Sequence, residues 1–179
     1  MLNLSPHRSN PALEAKITVD HRMSGKYFCV GFSVACSELF ENEKFSMEHC
    51  HNIGLWDFDV TEVFIQRGTN HTKYLELQIS PLGQVFALYI DEPRIKTRSI
   101  NEFSELKTSF SAIKTLNGFN TEFKVAVSDI PGAGDKLFGN FFACLGPKDF
   151  RSYFALNTNS EEIADFHRPE LFQPLGTIL

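Results

Sequence analysis

The chain has 179 residues, which fits a single domain over residues 1–179, and 42% of them are hydrophobic, enough for a core and against disorder over most of its length. A formal net charge of −5 argues against a nucleic-acid or acidic-membrane partner, since such partners need clustered Lys and Arg. Phenylalanine is used 18 times against a single Trp, a bias toward pleated, half-buried β surfaces.

The first segment, Met1 to Asn10, contains no apolar core of a secretory signal, and no stretch approaches the length of a membrane span. A cytoplasmic protein without a membrane partner is the expectation. Ala15, Ile17 and Val19 give a short alternating run. A stronger one follows, in which Phe28, Val30, Phe32 and Val34 alternate with Tyr27, Cys29, Gly31 and Ser33. Leu75, Leu77 and Ile79 alternate with Tyr74, Glu76, Gln78 and Ser80. Pro81-Leu82-Gly83 then supplies a tight turn and Gln84 to Asp91 a returning strand, so Lys73 to Asp91 reads as a hairpin. The densest basic run, Arg94 to Arg98, is short and reads as a solvated turn after that strand. Asn101 to Leu116 fits a loop with a strand, or a short helix over Glu102 to Lys107. Phe123, Val125 and Val127 alternate with Glu122, Lys124, Ala126 and Ser128, and each period-two run predicts a strand with one core face and one more polar face. Ile130-Pro131-Gly132-Ala133-Gly134 breaks the pattern, and a short helix is expected over Asp135 to Phe138. Many strands separated by turn signals, with no long heptad or repeat, predict an all-β, antiparallel β-sandwich with one or two short helices.

Cys29, Cys36, Cys50 and Cys144 have no metal-type spacing and read as ordinary reduced thiols. His49 and His51, two apart on an extended segment, could share an ion with Glu48 or His71, or simply belong to a polar loop before Trp56. No phosphate-binding glycine loop, dinucleotide fingerprint or nucleophile elbow is present. Asp57, Asp59, Glu62 and Glu76 form an acidic group, but glycoside hydrolysis needs two carboxyls held about 5–10 Å apart across a bond, which spacing along a chain does not supply. Asp57 and Asp59 also suit the capping of a turn. Trp56 sits beside these acids at a loop-to-strand junction. A flat ring covers the C–H face of a sugar while carboxylates and amides take its hydroxyls; equally, a lone Trp fills one end of a sandwich core.

Leu55-Trp56-Asp57-Phe58-Asp59-Val60-Thr61-Glu62-Val63-Phe64-Ile65 resembles the W-x-x-D-x-x-E-[VI]-F-[IL] strand entry of family-9 carbohydrate-binding modules and their DOMON-like relatives. Tyr74 to Gly83 resembles the next hairpin strand and turn, Asn140-Phe141-Phe142 a late core strand, and Asp165-Phe166-His167-Arg168-Pro169-Glu170-Leu171-Phe172 the closing HRPE-x-F block. The blocks keep the family's order and cover most of the chain after residue 25. The resemblance implies a DOMON-like, jelly-roll-type sandwich that binds a small carbohydrate on its concave side without catalysis. Trp56 and Phe166 match the two aromatics that clamp the terminal sugar, Glu62 the motif acid, and Gln78 a basic or polar position on the following strand. His167 and Arg168 complete the implied site, with Arg168 either contacting ligand or pairing with Asp59 or Glu62.

The chain departs from the sugar-binding pattern at three places. Phe166 stands where those modules carry Trp, Gln78 where they carry Arg, and Phe142 where they place a polar residue. A weakened, altered or absent carbohydrate site is therefore expected, and two alternatives stay open. One is a haem or redox domain, for which His51, His167, Met23 and Met47 are the available ligands. The other is a protein-interaction domain that has lost ligand binding. No cofactor is expected; Asp57, Asp59 and Asp91 offer oxygens to a structural calcium, but no calcium-loop pattern accompanies them.

Overall fold

The structure, a computed structural model, describes residues 1–10, 14–69 and 72–178. His71, one of the histidines of the expected metal group, lies outside them. The strands in chain order are β1 (Leu2–Asn3), β2 (Ser5–Pro6), β3 (Ala15–Ser24), β4 (Tyr27–Cys36), β5 (Val60–Arg67), β6 (Tyr74–Ile79), β7 (Val85–Glu92), β8 (Lys96–Ser99), β9 (Ser109–Thr115), β10 (Gly118–Ala126), β11 (Lys136–Leu145), β12 (Ser152–Ala155) and β13 (Gln173–Thr177). They form two antiparallel sheets. One runs β1-β3-β4-β10-β9; the other runs β2-β12-β11-β5-β6-β7-β8, with β13 also pairing β11. The expected antiparallel β-sandwich is what the chain forms.

The alternating runs explain why these segments are strands. On β4, Phe28, Val30, Phe32 and Val34 all turn inward and are buried, and Phe119, Phe123 and Val125 of β10 lie beside them. They pack against Val63, Ile65, Leu75, Leu77, Phe141 and Ala143 of the opposite sheet, and burying each large side chain contributes about 1.5–3 kcal/mol. One hydrogen bond crosses this apolar layer, joining the buried Thr61 and Thr121 hydroxyls at 2.6 Å.

The Lys73–Asp91 hairpin forms as β6 and β7. Its three-residue loop closes with the Gly83 N–H donating to Ser80 O at 2.9 Å, and Gly83 takes the left-handed φ of 88° that ends such a loop.

Three expectations are corrected. Asp135 to Phe138 is not helical, because Lys136 already opens β11 and pairs with β13. Val127 leaves its strand to start a 3-10 turn. The basic run is only partly a turn: Arg94 has φ 63°, but Lys96–Ser99 forms an exposed edge strand whose Lys and Arg guard the sheet edge against further pairing. Between residues 101 and 116 the chain forms a 3-10 turn at Phe103–Glu105, closed by a capping box between Glu102 and Glu105, and then β9. Helical structure among the described residues consists of three-residue 3-10 turns, and no helix there is long and apolar enough to cross a membrane.

Candidate binding site

The register of the larger sheet builds the floor of a site on its outer face. Glu62 on β5 stands opposite Gln78 on β6 and Phe142 on β11, and Gln78 stands opposite Phe86 on β7. One step along, Phe64 stands opposite Glu76, and Glu76 opposite Leu88. Side chains two apart share a face, so two carboxyls and an amide emerge among aromatic and aliphatic neighbours. Sequence alternation marks this as the more polar face, yet β5 and β6 are buried along nearly their whole length. Two loop segments account for that, one over residues 37–59 and one over 156–172, and between them a cavity of about 360 Å³ remains.

The first segment carries Trp56. Gly54, at φ 87°, turns the chain into a 3-10 turn over Leu55–Asp57, which buries Leu55 and leaves Trp56 38% exposed at the cavity, edge-on to Phe86 at 5.1 Å. Trp56 is therefore a wall of the cavity rather than a core residue. Asp59 fixes this arrangement. Its carboxyl accepts the Phe40 N–H at 2.8 Å and the Gly146 N–H at 2.7 Å, while Arg151 donates to the carbonyls of Phe58 and Gly146. Burial pushes the Asp59 carboxyl up, and the two N–H donors and Arg151 oppose that push. Asp59 is thus a strap between loops, and Asp57 faces Lys148 at 3.6 Å.

The second segment carries Phe166 and His167. Asn140 on β11 donates to the Asn157 carbonyl at 2.8 Å and accepts the Asn157 N–H at 3.1 Å, and Asn157 in turn donates to Leu171 O. Asp165 accepts the His167 N–H at 3.1 Å and pairs with Arg94 across the cavity mouth. Phe166 lies flat on Phe142 with ring centres 4.1 Å apart, and Tyr153 meets it edge-on. One face of the expected clamp ring is therefore covered by Phe142, the residue that stands at a position polar in the sugar-binding modules. His167 lines the cavity with its Nδ1 2.6 Å from the Tyr74 hydroxyl, and burial holds its imidazole below its ordinary pKa.

Of the expected site residues, Trp56, Glu62, Gln78, Phe166 and His167 converge on this cavity, and Arg168 does not line it. Arg168 turns to Glu161, Glu170 and Asp165, so its expected pairing with Asp59 or Glu62 is not made. Three acids on its own segment are nearer neighbours than the motif acids on the sheet. Arg94, Glu76, Phe86, Leu88 and Tyr153 join the cavity without having been singled out as ligand contacts. Glu76 was detectable from its two-residue offset to Gln78. Arg94 was not, because only the fold brings it to Asp165.

The floor is electrostatically unusual. Glu62 and Gln78 are each 2% exposed and Glu76 4%. Glu62 accepts a weak bond from the Cys144 thiol at 3.5 Å, and Glu76 accepts from the Gln78 amide at 2.8 Å. Among the described residues the second Glu76 oxygen and the Gln78 carbonyl oxygen have no hydrogen-bond partner. Desolvation pushes Glu62 up to about 7, against the Cys144 bond and the Arg151 charge; it pushes Glu76 up to about 8, with the Glu62 charge adding to the effect. Near neutral pH these groups can present O–H donors as well as acceptors.

The histidine pair separates. His49 is exposed and bonds Glu102 at 3.1 Å, while His51 packs on the Phe86 ring. Among the described residues no group of three or more His, Cys, Asp or Glu is placed to hold a metal, which bears equally on Asp57, Asp59 and Asp91. The four candidate haem ligands are also dispersed: His167 lines the cavity, His51 packs on Phe86, Met23 packs against the core and Met47 lies near Gly83. All four cysteines are buried as free thiols.

No protein-family model matches the sequence, and no curated protein is significantly similar to it. Solved structures are similar in fold. A candidate carbohydrate-binding protein from Bacteroides uniformis aligns with TM-score 0.75 at 12% identity, over 97% of this chain and 85% of its own. A family-9 carbohydrate-binding module from Caldicellulosiruptor kristjanssonii, in complex with cellotriose, aligns with TM-score 0.65 at 12% identity over 97% of this chain and 80% of its own. A structure of a family-9 module from the same organism with glucose gives TM-score 0.62 at 12% identity, over 96% and 82%. The chain thus has the fold of family-9 carbohydrate-binding modules, as its motif blocks implied.

Proposed function

We propose that this domain is a non-catalytic module that binds a small carbohydrate or related polyol in the cavity on the larger sheet. The observation that carries the reading is the placement of Trp56 and Phe166 on the walls of one cavity whose floor holds Glu62 and Gln78. A sugar ring laid against Trp56 would place its C–H face on the indole and its hydroxyls toward the floor. The cellotriose and glucose complexes of the structural neighbours support the ligand class. Arrangement also supports binding over hydrolysis. Glu62 and Glu76 rise diagonally from adjacent strands on one sheet face and both form the cavity floor, whereas glycosidases hold their two carboxyls on opposite sides of the scissile bond.

With one face of Phe166 covered by Phe142, stacking rests mainly on Trp56, and affinities of about micromolar to millimolar Kd follow from a few contacts worth about 1 kcal/mol each. Calorimetric titration with a panel of mono- and disaccharides, followed in parallel by Trp fluorescence, tests this. Saturable heat with a matching fluorescence change is expected for at least one sugar. Silence in both signals across the panel overturns the reading.

A further inference from the structure

We infer that the cavity selects a ligand carrying an organic ammonium group, such as an amino sugar, over its neutral counterpart. This rests on the reading of the cavity as a carbohydrate site and narrows it to a charge class.

Two features point to a cation. The first is the unanswered acceptor set on the floor. Glu76 is 4% exposed, and among the described residues neither its second carboxyl oxygen nor the carbonyl oxygen of the neighbouring Gln78 has a partner. Glu62 lies diagonally across the strand pair from Glu76, a relationship that sets backbones about 7–8 Å apart and lets one small group lie between the two side chains. Glu76 has no cationic partner among the described residues. Arg151 reaches Glu62 only through its charge, since its guanidinium donates to backbone carbonyls, and Arg94 at the rim is committed to Asp165. A buried carboxyl without a counter-charge keeps its proton near neutral pH, and a bound ammonium favours release of that proton and donates to the carboxylate oxygens.

The second feature is independent of the acids. Trp56, Phe64, Phe86, Tyr153 and Phe166 all present rings to the same cavity. Aromatic faces attract a desolvated ammonium through the ring quadrupole, and aromatic walls around carboxylates are the combination that holds such ions. A neutral polyol uses the walls by stacking but supplies no counter-charge that would let the floor carboxyls ionise.

The test is calorimetric titration of the intact chain at pH 7 with D-glucosamine, D-glucose, N-acetyl-D-glucosamine, cyclohexylamine and cyclohexanol. Glucosamine is expected to bind about tenfold or more tighter than glucose and N-acetylglucosamine, and cyclohexylamine tighter than cyclohexanol. In the near-isosteric Glu76→Gln variant the ratio of glucosamine to glucose affinity should collapse toward unity, with near-ultraviolet circular dichroism reporting that the fold is kept. The wild-type ratios decide the matter even if that variant misfolds. Glucose binding as tightly as glucosamine overturns the ammonium proposal and leaves the carbohydrate reading standing. Cyclohexylamine binding with no sugar bound supports the ammonium proposal and overturns the carbohydrate reading. No binding by either amine overturns the proposal.

Discussion

The Tyr74 hydroxyl and the His167 Nδ1 meet at 2.6 Å, joining β6 to the segment that closes one side of the cavity. Burial fixes the charge states across this bond. It pushes the tyrosine hydroxyl up, so that it stays protonated, and holds the imidazole down, so that it stays neutral. Both partners are therefore neutral, and the tautomer of His167 decides which of them donates. Tyr74→Phe removes the hydroxyl and strands a buried ring nitrogen, at a cost of about 1–3 kcal/mol. Urea unfolding should show that loss, and hydrogen exchange should rise at residues 164–168 more than in the core strands. An unchanged exchange rate there would mean that Asp165–Arg94 and Asn140–Asn157 hold the segment without His167.

Trp56 should report the site and contribute to it separately from the fold. It is 38% exposed and meets the Phe86 ring in a T-shaped contact, so Trp56→Ala should cost only about 1–2 kcal/mol of stability while weakening sugar binding about tenfold or more. Trp56→Phe should recover part of the affinity, because stacking area falls without vanishing. Since the chain has a single Trp, the fluorescence response in the wild type arises at the site alone. Equal affinity in wild type and Trp56→Ala would place the ligand elsewhere.

The stability of the unliganded protein should fall as pH rises. Glu62 and Glu76 have folded pKa values of about 7 and about 8, above the ordinary 4.5. Their contribution is fully present below about pH 4.5 and is lost as pH climbs through those values, on the order of 3–5 kcal/mol per carboxyl. His167 acts in the opposite sense. Its folded pKa is depressed, so its contribution is present above 6.5 and is lost as pH falls through the folded value. Urea titrations at pH 6 and pH 9 isolate the carboxyl effect, because His167 is already neutral over most of that range. The Glu62→Gln, Glu76→Gln double variant should flatten the difference. A wild type equally stable at both pH values would show that the floor is better solvated than its burial implies.

The fold was more legible than the site. Period-two runs such as Phe28 to Val34 state which side faces a core, and the motif blocks state their order along the sheet. The same alternation misleads at Tyr74-Glu76-Gln78. It separates polar from apolar positions, but it does not say that a loop from elsewhere covers the polar ones. Arg168 illustrates the other limit. Its place in the closing block suggested the motif acids, whereas three acids on its own segment took its charge. Pairings such as Arg94 with Asp165, or Asp59 with the Phe40 and Gly146 N–H groups, join residues distant along the chain and become visible only once the loops are placed.

Thr61 and Thr121 offer a test of how the two sheets are fastened. Thr61 precedes Glu62 on β5, so its hydroxyl faces the inter-sheet layer while Glu62 faces the cavity, and it meets the Thr121 hydroxyl of β10 at 2.6 Å. Both are buried among apolar side chains. Thr61→Val alone leaves the Thr121 hydroxyl without its partner, and Thr121→Val alone does the converse, each costing about 1–3 kcal/mol. The double variant replaces both hydroxyls with methyl groups of nearly the same shape and strands neither, so its stability should return close to that of the wild type. A double-mutant cycle by urea unfolding should therefore give a coupling of about 2–6 kcal/mol, the sum of the two single losses. Two additive losses would instead show that each hydroxyl is satisfied independently and that apolar packing alone sets the sheet-to-sheet contact beneath Glu62.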